Sequence, residues 1–377
     1  MKKSLIILTA IFTALSSVAY SQKTYKELTA LSSQNRGVSG LRSMQDGEHY
    51  TVSRGGAILR HSYADEAACD TLYKGRFASY EFTPAEDMII LGNNFRSVYR
   101  HSFYADYQIV KLNDGKEVTA LKNIRDLSLS PDSKMVAYAK DNNLYVAALG
   151  GEAKAITTDG EWNKIINSTA DWVYEEEYGF TKAYAFSPDS KQIAYSCNKK
   201  SGRDYTLSTD TDIYLYDLTS GNTTNLCKLD EARSSYGYDN APQFSPDGKM
   251  IAWTSMARDG YESDQIRLSI MDLATGERTY LTGMPDANGV TAFDSNVDSY
   301  CWAPDSKSLY FTGTWHGTTQ VYNITLKGKL TKMTEGDHDY NSVAMLGGKN
   351  LIMTRVSMSA PADIYTMKAK AGAEVKQ

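Results

Sequence analysis

Three consecutive carboxylates, Glu175, Glu176 and Glu177, sit inside the run Asp171-Trp172-Val173-Tyr174-Glu175-Glu176-Glu177-Tyr178. Adjacent carboxylates repel one another, and the flanking aromatics predict partial burial, which raises the cost of holding the charges. A cation sharing the site lowers that cost. Arg100, in Val98-Tyr99-Arg100-His101-Ser102, is a candidate for part of that role, and a ligand ammonium could supply the rest. Taken alone, a triple-Glu run reads as a solvated acidic turn; the surrounding residues favour a binding site. Other chemistry is sparse. No G-x-S-x-G pentapeptide occurs, and Gly37-Val38-Ser39-Gly40 is one residue too tight. The histidines, His49, His61, His101, His316 and His338, fall in blade-like segments, and none follows a candidate serine. His101 reads as a hydrogen-bonded strand histidine. There is no P-loop and no dinucleotide fingerprint. The turn at Asp210 to Asp212 lacks calcium-loop spacing. No cofactor and no metal are expected.

The elements that must position these residues are announced by a repeat. Ser/Ala-Pro-Asp-Gly/Ser-Lys recurs with prolines at Pro131, Pro188, Pro246 and Pro304, spaced 57, 58 and 58 residues apart. Proline presets φ for a turn, and Asp followed by Gly or Ser suits the next positions. Five residues past each proline stand Val136, Ile193, Ile251 and Leu309; seven past stand Tyr138, Tyr195, Trp253 and Phe311. That two-residue step gives each following strand one apolar face. Second strands are predicted at Tyr107 to Leu112, Asp212 to Leu218, Ile266 to Leu273 and Gln320 to Leu326, each running into a Gly-bearing turn. Degenerate units lie at Gly37 to Gly75, Glu81 to Leu121 and Ser342 to Met367. Such a period fits neither a sandwich nor a barrel. The expectation is an all-β fold, a β-propeller of about seven blades, seven or eight. Helical periodicity is scarce, with Lys23 to Leu31 the best candidate. The carboxylate run interrupts the pattern between the third and fourth blades.

Composition narrows the class further. The chain has 377 residues and a net charge of -5. Its basic residues are scattered, so neither a nucleic-acid footprint nor a polybasic membrane patch is indicated. Lys2, Lys3, the apolar run Leu5 to Leu15, and Ala19 and Ser21 read as a secretory signal over residues 1–21, cut ahead of Gln22. The apolar run is too short for a typical spanning helix. Residues 22–36 form an N-terminal segment, 37–368 the propeller and 369–377 a linker. The expected location is periplasmic or secreted. Of the four cysteines, Cys69, Cys197, Cys227 and Cys301, none makes a C-x-x-C pair, so no zinc or thioredoxin-type site is indicated. Cys197 and Cys227 could meet across one blade or remain buried thiols. The 27 tyrosines fit blade cores.

Asp171 to Glu177, DWVYEEE, resembles a signature of dipeptidyl peptidase IV in the prolyl oligopeptidase (S9) family. Tyr99 to Tyr107 resembles that enzyme's arginine-bearing stretch, and Asn142 to Ile165 is similar as well. In that family the propeller lends the active site two glutamates and an arginine. By motif position these are Glu176, Glu177 and Arg100, with Glu175 the less directly involved first glutamate. From about Ser187 onward the resemblance shifts toward acylaminoacyl-peptidase-like members. It is carried by Thr206 to Leu218, Pro242 to Asp264 and Thr312 to Tyr322, and the change falls near Ala185 to Lys191. Arg258 to Asp264 reads as a capped polar loop rather than a ligand site.

The resemblance implies the substrate-gating half of a secreted serine exopeptidase that releases N-terminal dipeptides, with Pro or Ala preferred second. A peptide α-amine, with a pKa near 7.7–8.0, is mostly charged at neutral pH, and two carboxylates can bind it by charge-assisted hydrogen bonds. A guanidinium can hold a substrate carbonyl. The Ser-Asp-His triad is expected on an α/β-hydrolase domain absent from these residues, which would be the propeller's partner; a homodimer is possible in a full-length form. The competing expectation is a stand-alone periplasmic propeller that acts as a binding scaffold.

Overall fold

The computed structural model describes residues 26–27, 40–65, 67–231, 235–283 and 293–377. The signal-like residues 1–21 and most of Lys23 to Leu31 lie outside this set, though Lys26 and Glu27 are helical. Two compact units partition the chain, Met1–Arg76 and Phe77–Gln377.

The first unit is a four-stranded antiparallel meander, β1 (Arg42–Ser43), β2 (His49–Arg54), β3 (Ala57–Ser62) and β4 (Cys69–Lys74). The second unit opens with a seven-stranded sheet of β5 (Ser79–Phe82), β6 (Met88–Ser97), β7 (Phe103–Lys111), β8 (Glu117–Leu129), β9 (Met135–Lys140), β10 (Asn143–Ala148) and β11 (Ala153–Ala155). This sheet is two blades joined through the long β8. Its first half pairs with β7, as in Tyr107 opposite Leu121, and its second half with β9, as in Leu129 opposite Val136. Bulges around Asn123 and Asp126, both at positive φ, turn the strand between its two partners.

Three four-stranded sheets follow. They are β12 to β15 (Tyr184–Phe186, Gln192–Cys197, Asp212–Asp217, Thr223–Asn225), β16 to β19 (Asp239–Phe244, Met250–Ser255, Arg267–Asp272, Arg278–Tyr280) and β20 to β23 (Ser299–Trp302, Ser308–Trp315, Thr318–Thr325, Leu330–Lys332). A three-stranded sheet ends the series with β24 (Asp339–Leu346), β25 (Asn350–Ser357) and β26 (Ala360–Lys368). Counting the double sheet as two gives seven blade-like units among the described residues, as the repeat predicts. Residues beyond β26 fold back, with Thr366 and Lys376 exchanging backbone hydrogen bonds of 2.7 and 2.8 Å.

Val136, Ile193, Ile251 and Leu309 are all 0% exposed, as their spacing predicts. The opposite face of these strands is buried too, and it differs in size rather than polarity. Ala137 packs with Ile193 and Tyr195 of the next blade, Ala194 with Ile251 and Trp253, and Ala252 with Leu309 and Phe311. A small residue on one blade thus receives the large residues of the next. Each large aliphatic contributes about 1.5–3 kcal/mol by leaving water.

Hydrogen bonds repeat with the same period. The Tyr184 hydroxyl bonds the carbonyls of Asp126 and Ala137, and Tyr300 bonds those of Ala241 and Ala252, each reaching the preceding blade. The proline turns are also coupled. Asp132 N–H donates to Ser190 Oγ (3.2 Å), and Asp247 N–H to Ser306 Oγ (3.1 Å). Ser190 and Ser306 hold positive φ, which costs a non-glycine residue about 1–2 kcal/mol. The inter-blade bond offsets part of that cost. Tyr184 lies just before, and Ser190 within, the stretch where the sequence resemblance shifts, yet both bond back to the preceding blade.

Candidate functional site

The carboxylate run folds as a short helix, α1 (Trp172–Tyr178), between β11 and β12. Asp171 caps its start by accepting from Tyr174 N–H at 2.8 Å, and Gly179 ends it at φ 69°, ψ 28°, a left-handed conformation that suits glycine. The second carboxylate oxygen of Asp171 accepts from the Tyr205 hydroxyl, which lies on α2 (Arg203–Leu207). Beneath α1, Tyr174 joins Ala170, Tyr238 and Met256 in a small core, and Tyr178 stacks on Tyr238 with ring centroids 4.1 Å apart.

Consecutive helical residues point about 100° apart, so the three glutamates diverge. Glu175 is the buried one, at 2% exposure. Its Oε1 accepts from the backbone N–H of His101. Burial works against its ionisation, but the nearby Ser102 hydroxyl and the backbone N–H groups of His101 and Ser102 outweigh it and hold its carboxyl below the ordinary range. Glu176 is half-buried, and its Oε1 lies 3.3 Å from Arg100 Nε. Glu177 is exposed and forms no ion pair among the described residues. Burial, together with the charges of Glu262 and Glu177, pushes the Tyr178 hydroxyl up to about 12.

Arg100 stands at the tip of the β6–β7 hairpin. Ser97 pairs with Phe103, and Val98 N–H donates to Ser102 O at 2.8 Å, leaving Tyr99, Arg100 and His101 across the turn. A bulge between Asn93 and Arg96 twists the arm. Asp106 steadies it by accepting from Asn94 Nδ2 (2.7 Å) and Asn123 N–H (2.8 Å). Most of the Arg100 side chain, 71%, stays in solvent, so its remaining guanidinium nitrogens are accessible to a ligand.

The structure therefore brings Arg100 and Glu176 together, with Glu177 exposed on the next position of the helix. The run is partly buried, as its flanking aromatics predict, and the helix grades that burial from Glu175 through Glu176 to Glu177. The deepest carboxylate is Glu175, assigned the least direct role from the sequence; it staples α1 to the arginine-bearing tip. Sequence reasoning also missed Arg125, which is 4% exposed and reaches the Ala170 carbonyl with Nη2 at 3.4 Å just before the cap. Its neighbour Asp126 is pushed above the usual carboxylate range by burial, against the pull of Arg125. No spacing signal marks either residue.

Arg258 to Asp264 is a capped loop, as expected. Asp264 Oδ2 accepts from the N–H groups of Ala257 and Arg258, both at 3.0 Å, and the Arg258 guanidinium lies 4.4 Å from the Tyr261 ring centroid. All four cysteines are free thiols, and Cys197 and Cys227 sit in different core clusters. Among the described residues one group has metal-like spacing: single ligand atoms of Asp212, Cys227 and Asp239 lie within 4.8 Å of one another. Asp239 is already engaged by Trp253 Nε1 (2.7 Å), Ser235 Oγ (2.8 Å) and Arg278 Nη2 (3.2 Å). Burial pushes the Cys227 thiol well above its ordinary range. The donor set fits a structural polar knot better than a metal centre.

These features coincide with a known class. Residues 83–203 match the sequence profile of the dipeptidyl peptidase IV (DPP IV) N-terminal region, and the chain resembles the N-terminal propeller of S9-family DPP IV enzymes. The match spans both the arginine tip and α1, and it ends just beyond the stretch where the resemblance shifts. Dipeptidyl-peptidase 5 of Porphyromonas gingivalis is 46% identical over 191 residues, covering 50% of this chain and 26% of that protein. Dipeptidyl-peptidase 5 of Porphyromonas endodontalis is 46% identical over 189 residues, covering 50% and 25%. Dipeptidyl peptidase 4 of Trichophyton rubrum is 31% identical over 185 residues, covering 46% and 24%. The chain thus spans about a quarter of the length of these relatives. The crystal structure of Porphyromonas gingivalis dipeptidyl peptidase 4 superposes with a TM-score of 0.72 at 21% identity, over 89% of this chain and 52% of that one, which establishes the all-β propeller fold. No helix among the described residues is long and apolar enough to cross a membrane.

Proposed function

We propose that this chain is the substrate-gating propeller of a DPP IV-like serine exopeptidase that releases N-terminal dipeptides. The observation that carries the reading is the Arg100–Glu176 pair at 3.3 Å, held where the Glu175 staple locks a hairpin tip onto the carboxylate helix. Glu176 keeps a second oxygen for a peptide ammonium, and Glu177, one residue on, supplies another carboxylate from the exposed side of the helix. Arg100 donates to a substrate carbonyl through nitrogens that Glu176 does not use. The spacing of amine and carbonyl along a peptide then sets how far the chain enters. Nucleophile, base and oxyanion hole come from a hydrolase domain, the propeller's partner. The positively charged start and short apolar run at residues 1–21 support a periplasmic or secreted location.

The test is binding to the chain itself. A tripeptide amide with a free amine is compared with its N-acetylated form by ligand-observed NMR. Charge-assisted hydrogen bonds contribute about 1.5–3 kcal/mol each, so acetylation weakens binding at least tenfold. Glu176→Gln combined with Glu177→Gln removes that difference. Equal affinity of the free and acetylated peptides for the wild-type chain refutes the amine anchor.

A further inference from the structure

The β21–β22 hairpin, far along the chain from Arg100, borders a cavity of about 550 Å³. The strands turn through His316 and Gly317, with Trp315 paired to Thr318. Both turn residues hold positive φ, 57° and 82°, as a two-residue type I′ turn demands. Asparagine or glycine suits the first of these positions best, and an imidazole stands there instead. The Trp315 and His316 rings lie 11° from parallel with centroids 5.4 Å apart, so they form one aromatic plate along the cavity. Trp315 is half-buried and His316 exposed. Phe293, fully buried, meets Trp315 at 88° with centroids 5.3 Å apart and backs the plate from the core.

More of the wall comes from the loop 335–337, on the way from β23 to β24. This loop is pinned from below. The fully buried Gln320 donates through Nε2 to the carbonyls of Gly336 (3.1 Å) and His338 (2.9 Å), and its Oε1 accepts from Thr334 Oγ1 at 2.8 Å. Asp339 Oδ1 accepts from Thr319 N–H at 2.7 Å, which ties the far end of the loop to the hairpin. Gly336 stands at φ 124°, and a Cβ there would come within 2.5 Å of the His338 ring, so the position requires glycine. Glu335 and Asp337 are thereby held on either side of Gly336. Both line the cavity, both are exposed, and neither forms an ion pair among the described residues. Lys332, also on the wall, is equally unpaired there, and Thr318 adds a hydroxyl.

The cavity has the size of a small-ligand site, within the range of about 300–1,000 Å³. Its charges select the ligand class. An anion would face two carboxylates, and a simple cation would face Lys332. A neutral polyhydroxyl ligand uses every group. The carboxylates accept from its hydroxyls, Lys332 donates to them, and Thr318 can do either. The C–H face of a sugar ring is slightly positive and lies well on an aromatic face, which is negative. We propose that this cavity binds a neutral saccharide, with a pyranose ring stacked on the Trp315–His316 plate and its hydroxyls held by Glu335, Asp337 and Lys332. The site stands apart from the peptide-amine reading and uses none of its residues. It opens at the same strand ends as the arginine tip, since β21–β22 joins the second and third strands of its sheet, as β6–β7 does. Plate and loop are both held by the fold, so little ordering is needed on binding.

The probes are cellobiose and N,N′-diacetylchitobiose, titrated into the full chain and read by saturation-transfer NMR and tryptophan fluorescence. At least one of them should bind saturably. His316→Asn keeps a residue suited to positive φ and removes one ring of the plate, and it should weaken binding about three- to tenfold. Glu335→Gln combined with Asp337→Asn keeps the side-chain shapes, removes the charged acceptors and should weaken binding about tenfold or more. All three residues are exposed, so thermal melts of the variants should match the wild type and separate loss of binding from loss of fold. A tri-lysine peptide serves as the cationic competitor and should bind more weakly than the better sugar. The saccharide site is overturned by no saturable binding of either disaccharide, by binding unchanged in either variant, or by tri-lysine binding tighter than both sugars and lost with the carboxylates.

Discussion

Removing Glu175 tests whether the site is built by a staple rather than by the exposed carboxylates. Its Oε1 accepts from His101 N–H, while both Glu175 and the neighbouring Ser102 are nearly fully buried. A hydrogen bond to a charged group contributes about 1.5–3 kcal/mol. Glu175→Ala should therefore make local opening of the 98–102 tip easier by about 2–3 kcal/mol. Amide exchange there should accelerate by about 30- to 150-fold, read by hydrogen–deuterium exchange on peptides spanning the tip. Glu175→Gln keeps an acceptor of the same shape and should cost about 1 kcal/mol. The pH dependence has a fixed sign. The folded carboxyl sits below the ordinary glutamate value, so the open state binds the proton more readily. Protection at the tip is complete above the unfolded value and is lost as pH falls through the depressed folded one. Exchange at 98–102 unchanged within twofold in Glu175→Ala would refute the staple.

Two further outcomes concern the fold. Tyr300→Phe removes a hydroxyl that bonds the Ala241 and Ala252 carbonyls of the preceding blade, and it should lower stability by about 1–2 kcal/mol in urea unfolding; an unchanged midpoint counts against inter-blade latching. Thiol labelling of the native protein at mildly alkaline pH should modify Cys69 rapidly, because it is exposed. Cys301, half-buried and pushed up to about 11 by burial, should follow slowly, and the buried Cys197 and Cys227 only on unfolding. Rapid reaction of more than one thiol contradicts this packing.

The blades were legible because their turns use residues with strong backbone preferences at a fixed period. Ser130, Ser187 and Ser245 each donate to the Asp two residues on, at 2.7 Å, and accept from the amide five residues on, at 2.9 Å. Ala303 lacks the hydroxyl and keeps only the backbone turn, with Ala303 N–H donating to Ser308 O at 2.9 Å. Less regular copies are legible only as degenerate units, without their turns. Thr83-Pro84-Ala85-Glu86 makes the same closure, with Met88 N–H donating to Thr83 Oγ1 at 3.2 Å, but its Ala and Glu hide the pattern. The buried small face was also missed. An alanine in a strand carries no periodic signal until its neighbour's Ile and Tyr or Trp are seen to fill the space above it. At the site, residue types singled out Glu176 and Arg100, which the structure pairs, whereas the Trp162–Tyr99 ring contact joins residues 63 positions apart by subtraction and depends on where two turns end.

The helical state of Trp172 to Tyr178 decides what three adjacent glutamates can do. On a strand, Glu175 and Glu177 would share one face and Glu176 would take the other, so two like charges would press on the same neighbour. On a helix each points about 100° from the last. One can be buried against backbone N–H groups, one can meet a guanidinium, and one can remain in water. That division needs the chain to enter α1 at Asp171 and leave at Gly179, since a shift of one residue would rotate the buried position onto Glu176. Asp171 fixes the start with one oxygen on Tyr174 N–H and the other on the Tyr205 hydroxyl. The carboxylate that anchors the fold and the one that faces the arginine are therefore distinguished by a single cap.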